Sequence, residues 1–175
     1  MKSNDPQTDL FHAILERHKG ILFMVANTYC KNQSDRQDLL QEMMLQIWKS
    51  LQRYDQQYKM TTWLYRIALN VAISFYRKNA SREQINKQLP DEYVLIRDET
   101  PLAKQEQLVQ LEVFISGLNE IDKALMVLYL EDRSHTEIAE ITGLSVTNVG
   151  TKIGRIKEKL KQRFLQIKTK EYAGK

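Results

Sequence analysis

Apolar residues recur in steps of three and four along the first stretch of the chain: Leu10 and Phe11, Ile14 and Leu15, Ile21 and Leu22, Val25, Tyr29. That spacing lines one face of an α-helix, so it predicts a helix over 8–29. A second helix is expected from near Ser34, where Ser34-x-x-Gln37 resembles a capping box. Its apolar series is Leu40, Met43, Ile47, Leu51 and Tyr54. The polar segment Asp55–Met60 breaks the rhythm, and Thr61 or Thr62 is the expected cap of a third helix. That helix carries Leu64, Ile67, Ala68, Val71 and Phe75 on one stripe and is expected to end in Arg77-Lys78-Asn79. Trp63 is expected in the core, and Trp48 in the core or at its edge.

From Ala80 to Thr100 the periodicity fades into Ser81, Pro90, Asp91-Glu92 and Asp98-Glu99, which reads as a linker in which only Tyr93-Val94-Leu95-Ile96 could dock. Thr100 as cap and Pro101 at the first helical position then open a new helix that stops at Gly117. Asn119 caps the next, which buries Ile121, Leu125 and Leu128. Ser134-x-x-Glu137 is a further capping box, opening a short helix that Gly143 closes in a left-handed conformation. Ser145 caps a long last helix bearing Val149, Ile153, Ile156, Leu160 and Phe164. No alternating pattern of a β-strand survives anywhere, so the fold class is all-α. The expected organisation is a domain over 1–80, a linker over 81–100 and a second domain over 101–175.

Residues 134–156, SHTEIAEITGLSVTNVGTKIGRI, are two short helices joined by a tight glycine turn. Ala139 is small where the helices must approach, Gly143 lies at the turn, and Val149 packs beneath the pair. This is a helix-turn-helix, whose second helix lies in the major groove of DNA. With Val149, Ile153 and Ile156 inward, Ser145, Thr147, Asn148, Thr151, Lys152 and Arg155 face outward. Those side chains suit phosphates and base edges. Gly150 and Gly154 fall on the same outer side, each costing about 1 kcal/mol of helix propensity against Ala. Close approach of a phosphate backbone and simple tolerance are both open explanations.

Charge sharpens this picture. The 175 residues carry a formal net charge of +4. It is distributed as +4 over 1–80, −3 over 81–116, −4 over 117–142 and +7 over 143–175. Two basic modules around an acidic middle suit a polyanionic partner. The longest apolar runs, Ile21–Ala26 and Ala124–Leu130, fall far short of the ~18 residues of a membrane span, so no membrane insertion is expected. The start, MKSNDPQTDL, has no apolar signal core, and the expected compartment is the cytoplasm. A lone Cys30 allows no internal disulfide and no Cys-Cys pair for zinc, and His12, His18 and His135 lack ligand spacing. No cofactor, metal site or catalytic residue is expected.

Two blocks resemble a known family. Asp38-Leu39-Leu40-Gln41-Glu42 leading to Ile47-Trp48, then Thr62-Trp63-Leu64-Tyr65-Arg66-Ile67-Ala68-Leu69-Asn70, is similar to region 2 of bacterial RNA polymerase sigma factors. Leu118 to Leu160, with Thr136-Glu137-Ile138-Ala139-Glu140 and the helix-turn-helix, resembles their region 4. A chain with these two regions alone is similar to the extracytoplasmic-function (group IV) class. The resemblance implies a factor that binds core RNA polymerase through Asp38, Gln41 and Glu42. It implies that Tyr58, Lys59, Arg66, Asn70, Ser74, Arg77 and Lys78 hold the −10 promoter element as a single strand. It also places the −35 duplex on the helix-turn-helix residues, and an anti-sigma factor among the partners.

The residues agree in part. Asp38, Gln41 and Glu42 share the polar face of helix two. Arg66, Asn70, Ser74 and Arg77 recur on one face of helix three, and cations, an aromatic ring and amides suit an unstacked strand. A linker of roughly 20 residues reaches at most ~70 Å extended, which permits two promoter contacts. The competing reading is a helix-turn-helix regulator that binds duplex DNA unaided, with 1–80 as a sensing or dimerisation domain. Such a regulator has no reason to carry the first block. An all-α enzyme finds no catalytic motif here.

Overall fold

The computed structural model describes residues 6–85 and 102–173. Among the described residues there are seven helices and no strand. They are α1 (Pro6–Tyr29), α2 (Gln33–Leu51), α3 (Met60–Ile85), α4 (Leu102–Ser116), α5 (Glu120–Leu130), α6 (His135–Thr142) and α7 (Val146–Ala173). The chain divides into two compact units, Met1–Ile96 and Arg97–Lys175. Linker residues 86–100, with Pro90 and Tyr93-Val94-Leu95-Ile96, and the Thr100–Pro101 helix start lie outside the described residues.

In the first unit α1, α2 and α3 pack on one another in all three pairings. From α1 the core receives Ile14, Leu22, Val25, Ala26 and Tyr29, whereas Leu10 stays half exposed at 51%. α2 contributes Leu39, Met43, Ile47 and Leu51, one side chain every four residues. Each such burial is worth about 1.5–3 kcal/mol, so the stripe outweighs any cap and sets how the helix lies.

Several expected boundaries move. α2 is capped by Asn32, not Ser34: Asn32 has extended backbone (φ −89°, ψ 157°), and its Oδ1 accepts from the Asp35 amide at 2.7 Å. With the helix starting at Gln33, Leu39 rather than Leu40 sits at the centre of the buried face, and Leu40 is half-buried. The Arg36 guanidinium reaches back from the first turn of α2 to the carbonyls of Cys30 and Lys31, at 3.5 and 3.3 Å, covering the end of α1. α3 starts at Met60, so neither threonine caps it: Thr61 is half-buried and Thr62 buried within the first turn. Its core face is Leu64, Tyr65, Ala68, Leu69 and Ala72, with Ile67, Val71 and Phe75 at the margins. The small Ala68 and Ala72 let α3 approach two neighbouring helices at once, which widens the buried face beyond one stripe. α3 also runs past Asn79 to Ile85, because no Gly or Pro interrupts its hydrogen-bond ladder.

In the second unit α5 is the central helix, packed by α4, α6 and α7. Ala124, Leu125, Met126, Val127 and Leu128 are all buried there, a continuous run rather than a stripe. Ile138 and Ile141 from α6 and Val149, Ile153 and Ile156 from α7 close the core. Gly117 ends α4, its amide shared between the carbonyls of Val113 and Phe114 at 3.3 and 3.2 Å.

Candidate functional site

The outer face of α2 is built by the register that buries its inner face. With Leu39, Met43, Ile47 and Leu51 inward, Asp38, Gln41 and Glu42 are exposed on the opposite side. Leu45, one turn further along that face, is also exposed, at 51%. The sequence reading passed over Leu45; its place seven residues after Asp38 was the available signal. The arrangement offers two carboxylates and an amide followed by an apolar side chain, a protein-facing chemistry rather than a polyanion-facing one. Beside it Trp48 is half-buried, with its ring edge-on to Phe11 at 5.1 Å and 81°.

The α2–α3 turn and the exposed side of α3 form a second surface. Gln56 holds a left-handed backbone (φ 61°), and the Asp55 carboxylate accepts from the Gln57 amide at 3.1 Å. The Tyr54 hydroxyl donates to the Tyr58 carbonyl at 2.8 Å, a bond that closes the turn on itself. The Arg66 guanidinium lies over the Tyr58 ring, 4.9 Å from its centroid, a contact worth about 0.5–1 kcal/mol at an exposed site. Trp63, expected in the core, is only half-buried and leans on Tyr54 with ring centroids 4.9 Å apart. Its phase on α3 explains this: Ala68 and Ala72 take the inner face, and Trp63 falls beside Arg66. From there Asn70, Ser74, Arg77 and Lys78 continue exposed along the helix, and Lys59 is exposed in the turn. Aromatic rings, cations and amides in one row suit stacking and backbone contacts to a single strand. Tyr54 and Trp63 are members that the sequence reading missed.

The third surface is the helix-turn-helix. Ser134 and Glu137 cap α6 reciprocally, the Glu137 amide donating to Ser134 Oγ at 3.2 Å and the Ser134 amide to Glu137 Oε2 at 3.0 Å. Gly143 then turns left-handed (φ 75°, ψ 8°), its amide donating to the Ala139 carbonyl. Ser145 Oγ accepts from the Asn148 amide at 3.2 Å and starts α7. With Val149, Ile153 and Ile156 buried, Ser145, Thr147, Asn148, Thr151 and Arg155 are exposed together. Lys152 differs: it is half-buried at the edge of the face, with Nζ 3.5 Å from Asp122 Oδ1. The two glycines separate as well. A Cβ on Gly150 would meet His135 Nδ1 at 3.4 Å, so that position faces the start of α6 rather than open solvent alone. A Cβ on Gly154 would meet nothing within 4 Å. Val146, 46% exposed at the first position of α7, adds an apolar group that the sequence reading did not include.

Among the described residues no group of three or more His, Cys, Asp or Glu comes together to hold a metal ion. No helix there is long and apolar enough to cross a membrane.

Comparison with known proteins matches two family models, Sigma-70 region 2 over residues 14–82 and Sigma-70 region 4 over residues 108–160. The chain is similar to the ECF RNA polymerase sigma factor SigW of Bacillus subtilis, 26% identical over 91% of each chain. It is similar to the RNA polymerase sigma factor CnrH of Cupriavidus metallidurans, 26% identical over 86% of this chain and 84% of that one. Among solved structures, the fold resembles the sigma factor RpoE of Bartonella quintana, solved with the anti-sigma factor NepR: TM-score 0.72, 19% identity, covering 90% of this chain and 97% of that one. It also resembles CnrH solved with the cytosolic domain of CnrY, with a TM-score of 0.64 at 23% identity, covering 93% of this chain and 90% of that one.

Proposed function

The chain belongs to the Sigma-70 family, as an RNA polymerase sigma factor of the extracytoplasmic-function class, and on that premise we propose how its surfaces divide the work. The protein directs promoter-specific transcription initiation, with core RNA polymerase and promoter DNA as its partners. It is a transcription regulator, and in our reading it acts in the cytoplasm with no catalytic chemistry of its own. Asp38, Gln41 and Glu42, around Leu45, dock on core polymerase. Tyr58, Lys59, Arg66, Asn70, Ser74, Arg77 and Lys78 hold the opened −10 strand. Ser145, Thr147, Asn148, Thr151 and Arg155 read the −35 duplex, with Lys152 beside them. The first unit thus carries docking and strand capture, the stretch after α3 is the linker, and the second unit carries duplex readout. An anti-sigma factor is a further partner, supported by a structurally similar sigma factor solved with one.

The observation that carries this reading is the coincidence of face and chemistry. In α2, α3 and α7 the side chains opposite the core are those a polymerase, a single strand and a duplex each require. Extruding a base costs a few kcal/mol, so the strand surface must replace stacking, and the rings of Tyr54, Tyr58 and Trp63 in and beside the turn support that reading. The test is a titration of labelled protein into sigma-free bacterial core RNA polymerase at physiological salt. Submicromolar, saturable binding that is lost in Gln41→Ala/Glu42→Ala supports the assignment. Absence of binding, with duplex DNA still bound, returns the chain to a stand-alone regulator.

A further inference from the structure

Lys152 differs from the rest of the duplex-facing row in having a protein partner on another helix. Asp122 stands in the first turn of α5, where Asn119 caps the helix. The Asp122 amide donates to Asn119 Oδ1 at 2.9 Å, and Asn119 Nδ2 donates back to Asp122 Oδ2 at 2.9 Å. That exchange fixes the carboxylate and leaves Oδ1 aimed at Lys152 Nζ, 3.5 Å away. The carboxylate side chain is only 15% exposed and the lysine 34%. A cation that swings freely over the surface is a phosphate contact; one drawn against an oriented, largely buried carboxylate is already occupied. The helix carrying Ser145, Thr147, Asn148, Thr151 and Arg155 is thereby fastened to the cap of α5.

We propose that Asp122 and Lys152 are positioning residues for duplex readout: the Asn119–Asp122–Lys152 chain fixes the rotation of α7 over α5, and Lys152 is not one of the phosphate contacts. This rests on the −35 reading above. The pair also neutralises a carboxylate that would otherwise repel the duplex from the edge of the recognition helix. The two roles differ in what they predict. A lost phosphate contact weakens binding to all sequences alike and lowers the salt slope by about 1. A lost brace misaligns the base-reading side chains, so it lowers discrimination and leaves the slope where it was.

The experiment uses the full chain assembled with core polymerase and two duplex probes. One carries a sequence that the wild-type complex selects from a random pool, and the other is its scrambled counterpart. Affinities are measured across a salt series. Lys152→Ala and Asp122→Asn are each expected to reduce the selected-to-scrambled ratio roughly two- to fivefold, the range a single ion pair at the protein surface supports, with unchanged slope. The double variant is expected to lose no more than the worse single one, and Lys152→Arg to keep the ratio. The proposal is overturned if Lys152→Ala lowers the slope by about 1 at constant ratio, if Asp122→Asn tightens binding by freeing the lysine, or if neither ratio changes. Arg155→Ala separates the two levels. A change in its slope or ratio keeps the −35 reading whatever Lys152 does, and no change in either refutes that reading itself.

Discussion

Asn70 lies exposed on α3 one turn beyond Arg66, which itself rests on Tyr58. In the proposed single-strand reading, that amide binds a base edge freed when the duplex opens. Asn70→Ala is therefore expected to reduce promoter opening, followed by permanganate footprinting, by more than it reduces capture of closed duplex; equal losses contradict the single-strand role. Asn32→Ala removes the side chain that caps α2 and is expected to cost about 1 kcal/mol in urea unfolding, whereas Ser34→Ala leaves stability nearly unchanged. Burial of His18, helped by the neighbouring Arg17 charge, pushes its imidazole below its ordinary value. A folded state that resists protonation loses stability as pH falls below about 6.5, because the unfolded chain takes the proton first. His18→Gln should flatten that part of the stability curve. At this scale the sequence was only partly legible. It placed the cap of α2 at Ser34; Asn32 is an equally good capping type, and only the backbone angles show that it takes the position. It named Lys152 as outward but not as paired, because periodicity gives a residue's face and Asp122 stands 30 positions away in the chain.

At the scale of elements, the helix-turn-helix was the most legible part. Its caps are local: Ser134 with Glu137, Gly143 at the left-handed position and Ser145 before α7 all fall where the sequence places them. Gly143→Ala puts a side chain at φ 75° and is expected to destabilise by about 1–2 kcal/mol, with a lower thermal midpoint. Gly154→Ala acts in the opposite sense. Its Cβ enters open space, so the gain in helix propensity, up to about 1 kcal/mol, should raise the urea midpoint; a fall would mean that α7 needs flexibility at that point. The face of α3 was less legible. It buries Tyr65, Leu69 and Ala72 besides Leu64 and Ala68, so the packed face is turned from the expected stripe. Ile67, Val71 and Phe75 fall at its margin, and Trp63 is only half-buried.

On the scale of the whole molecule, the all-α class and the order of the two sigma regions were legible in the sequence. The segmental charges, +4 over 1–80 and +7 over 143–175 with acidic residues between, put a net basic stretch in each of the two compact units. On the proposed reading one unit supplies docking and strand capture and the other duplex readout, so neither alone suffices for a promoter-specific start. The most direct test of that claim is transcription from a pool of random-sequence templates by bacterial core RNA polymerase, with and without this protein, followed by sequencing of transcript 5′ ends. The account predicts that core alone yields scattered starts. Addition of the protein should give discrete starts downstream of two shared sequence blocks, with Asn148→Ala/Arg155→Ala degrading the upstream block and Asn70→Ala the downstream one. Starts that stay scattered at saturating protein would contradict it.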